Sequence, residues 1–452
     1  MTQRPITRRA LISGGVSLAV LAPLLAACSD GAAGTSPSPK STKLGPATIR
    51  FSGYGNDTKM QTRSVLAQKF MDTHPSITMV FEGSPSDAYF AKLATQIAGG
   101  NAPDVINLDT GHLSQYAPKG ALTPLTPYIP SYIDADSFAK DLLTLGQIDG
   151  KQYGMPLATT SFGWTWDTDI FDEIGVKAPD GATWTWDTMA DLSNEIFETS
   201  DSKYHGNADP SGDPYTFEMW VRAHGHAVYA SSSKLGYDAD LMGDWFDYWA
   251  KLRKSGGIPP ADITAEETPY VWEKAALVNK VSAMSFSNTG VWSGAFAALT
   301  KDQLALTTPP RAKKSDTGTP NYPLASSYFA LNTKCTAPEQ AAEFIDWFVN
   351  SKPAAQVLRL ISGPPASATA VKAVDALTDL TPSEQAVLEY TKTALKSGTP
   401  APKVPVPAAD QQIATFLLKA SQDIAFKRQS VSQAVSTFMS SAKSALATSA
   451  IS

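Results

Sequence analysis

Apolar and polar positions alternate over residues 47–54, Ala-Thr-Ile-Arg-Phe-Ser-Gly-Tyr, and predict a strand that ends in a glycine turn. Met60, Val65, Leu66 and Phe70 then recur at helical spacing, from a cap expected at Asp57 to about Thr73, where Pro75 stops the helix. Residues 77–81 predict a second strand, 88–98 a second helix closed by Gly99-Gly100, and 103–108 a third strand. Strand, helix, strand, helix, strand is the pattern of an α/β lobe with a mostly parallel sheet. Ligands of such sheets sit beyond the carboxyl ends of the strands, where Tyr54 and Asp109 fall. Trp245 and Trp249, four apart on one helix face, predict packing, as do Trp166, Trp184 and Trp186. Prolines at 400, 402, 405 and 407 exclude a helix there and leave an extended connector. A helix pair, Asp410–Lys427 and Ser430–Thr448, is expected after it.

The first 46 residues follow no such pattern. Arg4, Arg8 and Arg9 precede an apolar run from Ala10 to Ala27, interrupted by Ser13, Gly14, Gly15 and Pro23. A basic start and a short apolar stretch ending in small residues have the architecture of an export signal. The run is too short and too broken to predict a membrane span. Thr7-Arg8-Arg9 followed by Leu11 and Ile12 resembles a twin-arginine signal; an ordinary secretory start is the alternative. Leu25-Ala26-Ala27-Cys28 resembles a bacterial lipobox, which implies that Cys28 is lipidated and opens the mature chain. Residues 29–46, rich in Gly, Ser, Pro and Ala, predict a flexible tether reaching on the order of 25 Å.

The chain is 452 residues long, which favours two lobes over one. Its net charge is −6, and three arginines but no acid lie in residues 1–27, so the remainder carries −9. An acidic body argues against a nucleic-acid partner. Two cysteines, Cys28 and Cys335, make neither a disulfide framework nor a cysteine zinc site. His205, His224 and His226 lie within 22 residues, but no HExxH motif accompanies them, and no metal is expected. No nucleophile elbow, phosphate loop or dinucleotide fingerprint occurs, so neither an enzyme nor a cofactor is expected.

Several segments in order are familiar. Phe70 with His74-Pro75-Ser76-Ile77, Tyr89 with Lys92-Leu93, and Gly99-Gly100-Asn101-Ala102-Pro103-Asp104-Val105 resemble the family 1 extracellular solute-binding proteins, relatives of the maltose-binding protein. So do Gly120-Ala121-Leu122-Thr123-Pro124-Leu125, the segment Asp149–Pro156, Thr183-Trp184-Thr185-Trp186-Asp187, Ala283-Met284 with Gly290-Val291-Trp292, and Pro338–Phe348. At Trp166-Asp167 the family more often has a tyrosine-asparagine pair. The landmarks run in order from about residue 47 to 440. The resemblance implies a two-lobe, type II periplasmic-binding-protein-like α/β fold with a ligand cleft between lobes joined by crossing hinge segments. Carried onto this chain, lobe one is 47–157 plus 308–352 and lobe two 160–305 plus 355–452. It also implies a monomer on the outer face of the cytoplasmic membrane, which passes a sugar or oligosaccharide to the membrane subunits of an ABC importer.

A sugar offers hydroxyl edges and apolar C–H faces, so its site needs flat aromatic rings beside paired polar groups. By position the candidates are Tyr54, Asp57, Asp109, Thr160, Trp164, Phe217, Trp220, Trp292 and Tyr328. Trp292, after Gly290, matches a family position that stacks on ligand, and core packing is its alternative. Asp87 is a further candidate, with a helix cap as the other reading. The competing functions are an exported glycoside-active enzyme, whose two carboxylates would converge only in three dimensions, and the same fold binding a non-sugar solute.

Overall fold

The computed structural model describes residues 44–267, 272–292, 296, 299–301, 303–402, 404 and 406–449, without the side chains at 86, 87 and 395. Cys28 and the side chain of Asp87 therefore lie outside the described residues.

The first sheet holds β1 (Ala47–Tyr54), β2 (Ile77–Ser84), β3 (Val105–Leu108), β4 (Leu122–Thr123), β5 (Gly154–Thr160) and, from far along the chain, β10 (Leu324–Asn332). Its order is β2-β1-β3-β10-β4, with β5 also paired to β10. β1 runs parallel to β2, Ala47 opposite Ile77 and Tyr54 opposite Ser84, and parallel to β3. β10 is antiparallel to β3, with Tyr328 opposite Leu108. Phe51, Phe70, Val105, Phe329, Phe344 and Phe348 lie in the core around this sheet. Helix α1 (Asp57–Thr73) packs on it; its cap is Asn56, which accepts from Lys59 N at 3.1 Å, and Asp57 lies in the first turn rather than at the cap. Helices α2 (Ser86–Ala98) and α3 (Thr110–Tyr116) follow β2 and β3.

The second sheet holds β6 (Phe162–Asp167), β7 (His205–Asn207), β8 (Ser282–Asn288) and β9 (Leu304–Thr307), in the order β9-β6-β8-β7. Its core gathers Trp164, Trp184, Trp186, Phe217, Trp220, Trp245 and Trp249. Helices α4 (Trp186–Thr199), α5 (Pro214–Ala223), α6 (Ala239–Ser255) and the C-terminal pair α7 (Asp410–Ala425) and α8 (Val431–Ser449) surround it. A smaller third cluster joins Trp292 and Phe296 to Leu277, Leu360, Val374 and Val387.

Three chain segments pass between the sheets, and hydrogen bonds tie them to one another. β5 gives way to β6 through Ser161 alone. Just before β10, buried Asn321 holds that crossing: its Oδ1 accepts from Phe162 N at 3.1 Å and its Nδ2 donates to Phe162 O at 2.7 Å. The third segment follows residue 358; there Thr159 N donates to Pro364 O at 2.7 Å, and Gly363 takes φ +100°, a left-handed value that favours glycine.

Candidate functional site

In the first sheet β1 and β3 end at one edge, where β5 also ends and antiparallel β10 begins. In the second, β7 and β8 end beside the start of β6. Because β5 runs directly into β6, these edges border one interlobe cleft.

The first lobe's rim is built from aromatic rings around one carboxylate. Tyr54, at the end of β1, packs on Tyr89 and Phe90 with ring centroids 5.1 and 5.2 Å apart. Asp109, at the end of β3, caps α3 by accepting from His112 N at 2.7 Å. The same Oδ1 lies 2.8 Å from His112 Nδ1, and the imidazole stacks on Phe90 at 3.7 Å, tilted only 6°. Local sequence explains the cap, since Asp directly before a helix satisfies a free amide of the first turn.

The second lobe answers with tyrosines and further carboxylates. Asp213 caps α5, accepting from Thr216 N at 2.7 Å, and Pro214 opens the helix. The buried stripe of that helix is Thr216, Phe217, Met219, Trp220 and Val221. Tyr215 is left facing outward, 48% exposed, with its ring on Phe162 at 5.0 Å. At the start of α7, Asp410 accepts from Tyr229 Oη at 2.6 Å, and burial, above all, raises its pKa. Glu218 accepts from Tyr322 Oη at 2.8 Å. Burial pushes the Glu218 carboxyl up to about 7, although Arg222 and the Tyr322 bond favour its charged form. The lobes meet where α7 reaches α3: a Cβ on Gly111 would lie 2.9 Å from Gln411 Nε2.

The candidates fall into two groups. Tyr54 and Asp109 lie on the rim, half-buried, and Asp57 is exposed in the first turn of α1. Thr160 is buried at the crossover, where its hydroxyl donates to Asn288 Oδ1 at 3.2 Å. Trp164, Phe217, Trp220, Trp292 and Tyr328 are instead between 0% and 6% exposed. Trp164 is held by its indole N–H on Asn207 Oδ1 at 2.7 Å, Tyr328 lies in the first core, and Trp292 sits in the third cluster. Trp220 lines a different cavity of about 660 Å³ between α4 and α6, whose lining includes none of the rim residues. Phe90, His112, Tyr215, Asp410 and Gln411 join the rim without having been picked out from sequence. Only Tyr215 carried a local signal, an aromatic that falls outside the apolar stripe of its helix.

A model of the bacterial extracellular solute-binding proteins matches residues 65–382, well over half of the chain. The chain belongs to this family. A family 1 extracellular solute-binding protein from Alicyclobacillus acidocaldarius is similar in sequence and shape: 26% identity, TM-score 0.69, covering 89% of this chain and 99% of that one. A periplasmic oligogalacturonide-binding protein from Yersinia enterocolitica, solved with saturated digalacturonic acid, shares the fold at TM-score 0.74 and 19% identity, with the same coverage. A lactose-binding protein of Rhizobium radiobacter is 26% identical over 135 residues, 29% of this chain and 31% of that protein. The chain spans well under half the length of the curated relatives it matches, 37% in the case of a putative binding protein of Brucella abortus. The two-lobe α/β architecture is thus the type II fold of extracellular solute-binding proteins.

Proposed function

We propose that this solute-binding protein captures a sugar or oligosaccharide between its lobes and hands it to the membrane subunits of an ATP-driven importer, held at the outer face of the cytoplasmic membrane by a lipid on Cys28. The observation that carries the reading is the make-up of the two rims. Tyr54, Phe90 and His112 gather beside Asp109 at the strand ends of the first lobe, where Gln411 of α7 reaches Gly111; the second lobe contributes Asp410 at the start of α7 and exposed Tyr215 at the start of α5. Ring faces take the C–H surface of a pyranose, and carboxylates and amides take pairs of hydroxyls. The lactose-binding relative and the digalacturonate-bound neighbour support a sugar as the solute. Contacts from both lobes make the ligand a clamp: it favours closure only through interactions that the open form lacks.

A thermal-shift and calorimetric screen of mono- and oligosaccharides tests this. Binding without product release is expected, and a ligand at 100 times its dissociation constant should add about 2.7 kcal/mol of stability. Turnover of a glycoside would instead support an exported enzyme. For the anchor, Cys28→Ala is expected to leave the membrane fraction; a variant that stays there through a high-salt wash refutes the assignment.

A further inference from the structure

Two cations on the first lobe stand apart from the paired carboxylates of the cleft. Lys59 and Arg63 lie one turn apart on the same face of α1, directly after β1. Both cross the strand end where glycine leaves room. A Cβ on Gly53 would lie 2.2 Å from Arg63 Nη1, and one on Gly55 would lie 2.7 Å from Lys59 Cδ. Arg63 is 5% exposed, and among the described residues its guanidinium donates only to neutral acceptors, Tyr54 O at 2.7 Å and Asn107 Oδ1 at 2.9 Å. With Ala158, Ser362 and Gly363 it lines a narrow cavity beside the crossing segments.

Lys59 is half-buried, and among the described residues its ammonium has neither a hydrogen-bond partner nor an ion pair. Burial first, and the neighbouring Arg63 second, push its pKa down to about 8. Among the described residues no carboxylate offsets either effect. Enclosing one cation without a counter-charge is unfavourable, and placing a second at i+4 adds repulsion. The rim carboxylates do not relieve this, because each has a partner of its own: Asp109 has His112, Asp410 has Tyr229 and Glu218 has Tyr322. Among the described residues no carboxylate supplies the counter-charge, whereas an anionic ligand would.

We propose that the cleft accepts a sugar bearing an anionic oxygen group, a uronate carboxylate or a phosphate, which Lys59 binds directly and Arg63 supports from beneath. The inference rests on the sugar-binding reading and narrows it. The Lys59 ammonium would supply charge-assisted hydrogen bonds to that group, and Arg63, held by Tyr54 O and Asn107, would raise the local positive potential without moving.

The test is titration calorimetry on the intact protein with three probes: a neutral disaccharide, the matching uronide and a hexose phosphate. At least a tenfold preference for one anionic probe over the neutral sugar is expected, and which probe is preferred separates carboxylate from phosphate. Lys59→Met should lose that preference while keeping its affinity for the neutral sugar, and Lys59→Arg should recover part of it. Denaturant unfolding of both variants confirms that they fold. Equal binding of neutral and anionic sugars, unchanged in Lys59→Met, overturns the inference and leaves the sugar reading intact. Failure of every sugar to bind overturns the sugar reading itself.

Discussion

Trp292 offers the sharpest separation between packing and binding. It is 2% exposed and packs in the third cluster with Phe296 and Leu360, and its indole N–H has no acceptor among the described residues. A side chain so enclosed has no face left for a ligand in this conformation. A tryptophan buries roughly 200 Å², which at about 25 cal/mol per Å² corresponds to about 5 kcal/mol as an upper bound. Trp292→Ala should therefore cost about 3–5 kcal/mol of stability, the usual range for a core Trp truncated to Ala. Trp292→Phe should cost less, about 1–2 kcal/mol, because it retains a ring and removes a buried donor that lacks a partner. Urea unfolding gives both values from the midpoint at unchanged slope. Titration calorimetry on the folded variants should find sugar affinity within about threefold of the parent, far below the loss of a hot-spot aromatic. The opposite ranking, stability unchanged and affinity down more than tenfold for Trp292→Ala, would refute the packing argument and restore Trp292 as a stacking platform.

Three further outcomes follow from the same structure. Tyr215→Ala should lower sugar affinity about 10- to 100-fold while changing stability by less than about 0.5 kcal/mol, as expected for a surface position; unchanged binding would remove Tyr215 from the site. Glu218, whose carboxyl is raised to about 7 by burial, holds its proton more tightly in the folded chain than in the unfolded one between about pH 4.5 and 7. Stability should therefore fall as pH rises through that window. Glu218→Gln, measured by chemical unfolding at several pH values, should match the parent near pH 5 and exceed it above pH 7 by on the order of 1–3 kcal/mol; parallel pH profiles would argue against the shift. Asn321→Ala strips both bonds from Phe162 N and O at the crossing and should cost about 2–4 kcal/mol. A loss below about 1 kcal/mol in thermal or urea unfolding would mean that the crossing does not depend on this clamp.

Much of the first lobe was legible in the sequence because its signals are local. Alternation in 47–54, helical spacing from Met60 to Phe70 and the glycine and proline stops predicted three strands and two helices that the structure contains, with the cap one residue early at Asn56. The placement of Tyr54 and Asp109 at strand ends followed from that pattern alone, and both lie on the rim. The C-terminal helix pair was also foreseen, because prolines exclude helix ahead of it and apolar spacing resumes at Ile413.

What the sequence determined by itself, then, was where strands and helices begin and end in the first lobe, and hence that Tyr54 and Asp109 fall at strand ends. Tertiary structure alone decided which aromatic side chains stay outside. Trp164, Trp220 and Trp292 carry the same chemistry as Tyr215, yet neighbours remote in sequence close over them: Asn207 and Phe286 over Trp164, Trp186 and Trp245 over Trp220, Leu360 and Val374 over Trp292. The same holds for charge. Nothing near Lys59 or Arg63 in the chain shows that they have no carboxylate partner among the described residues, because ion pairs form between elements brought together only by the fold. Hydrophobic periodicity records which face of an element is covered; it does not record what covers it, and the cleft is made of what is left uncovered.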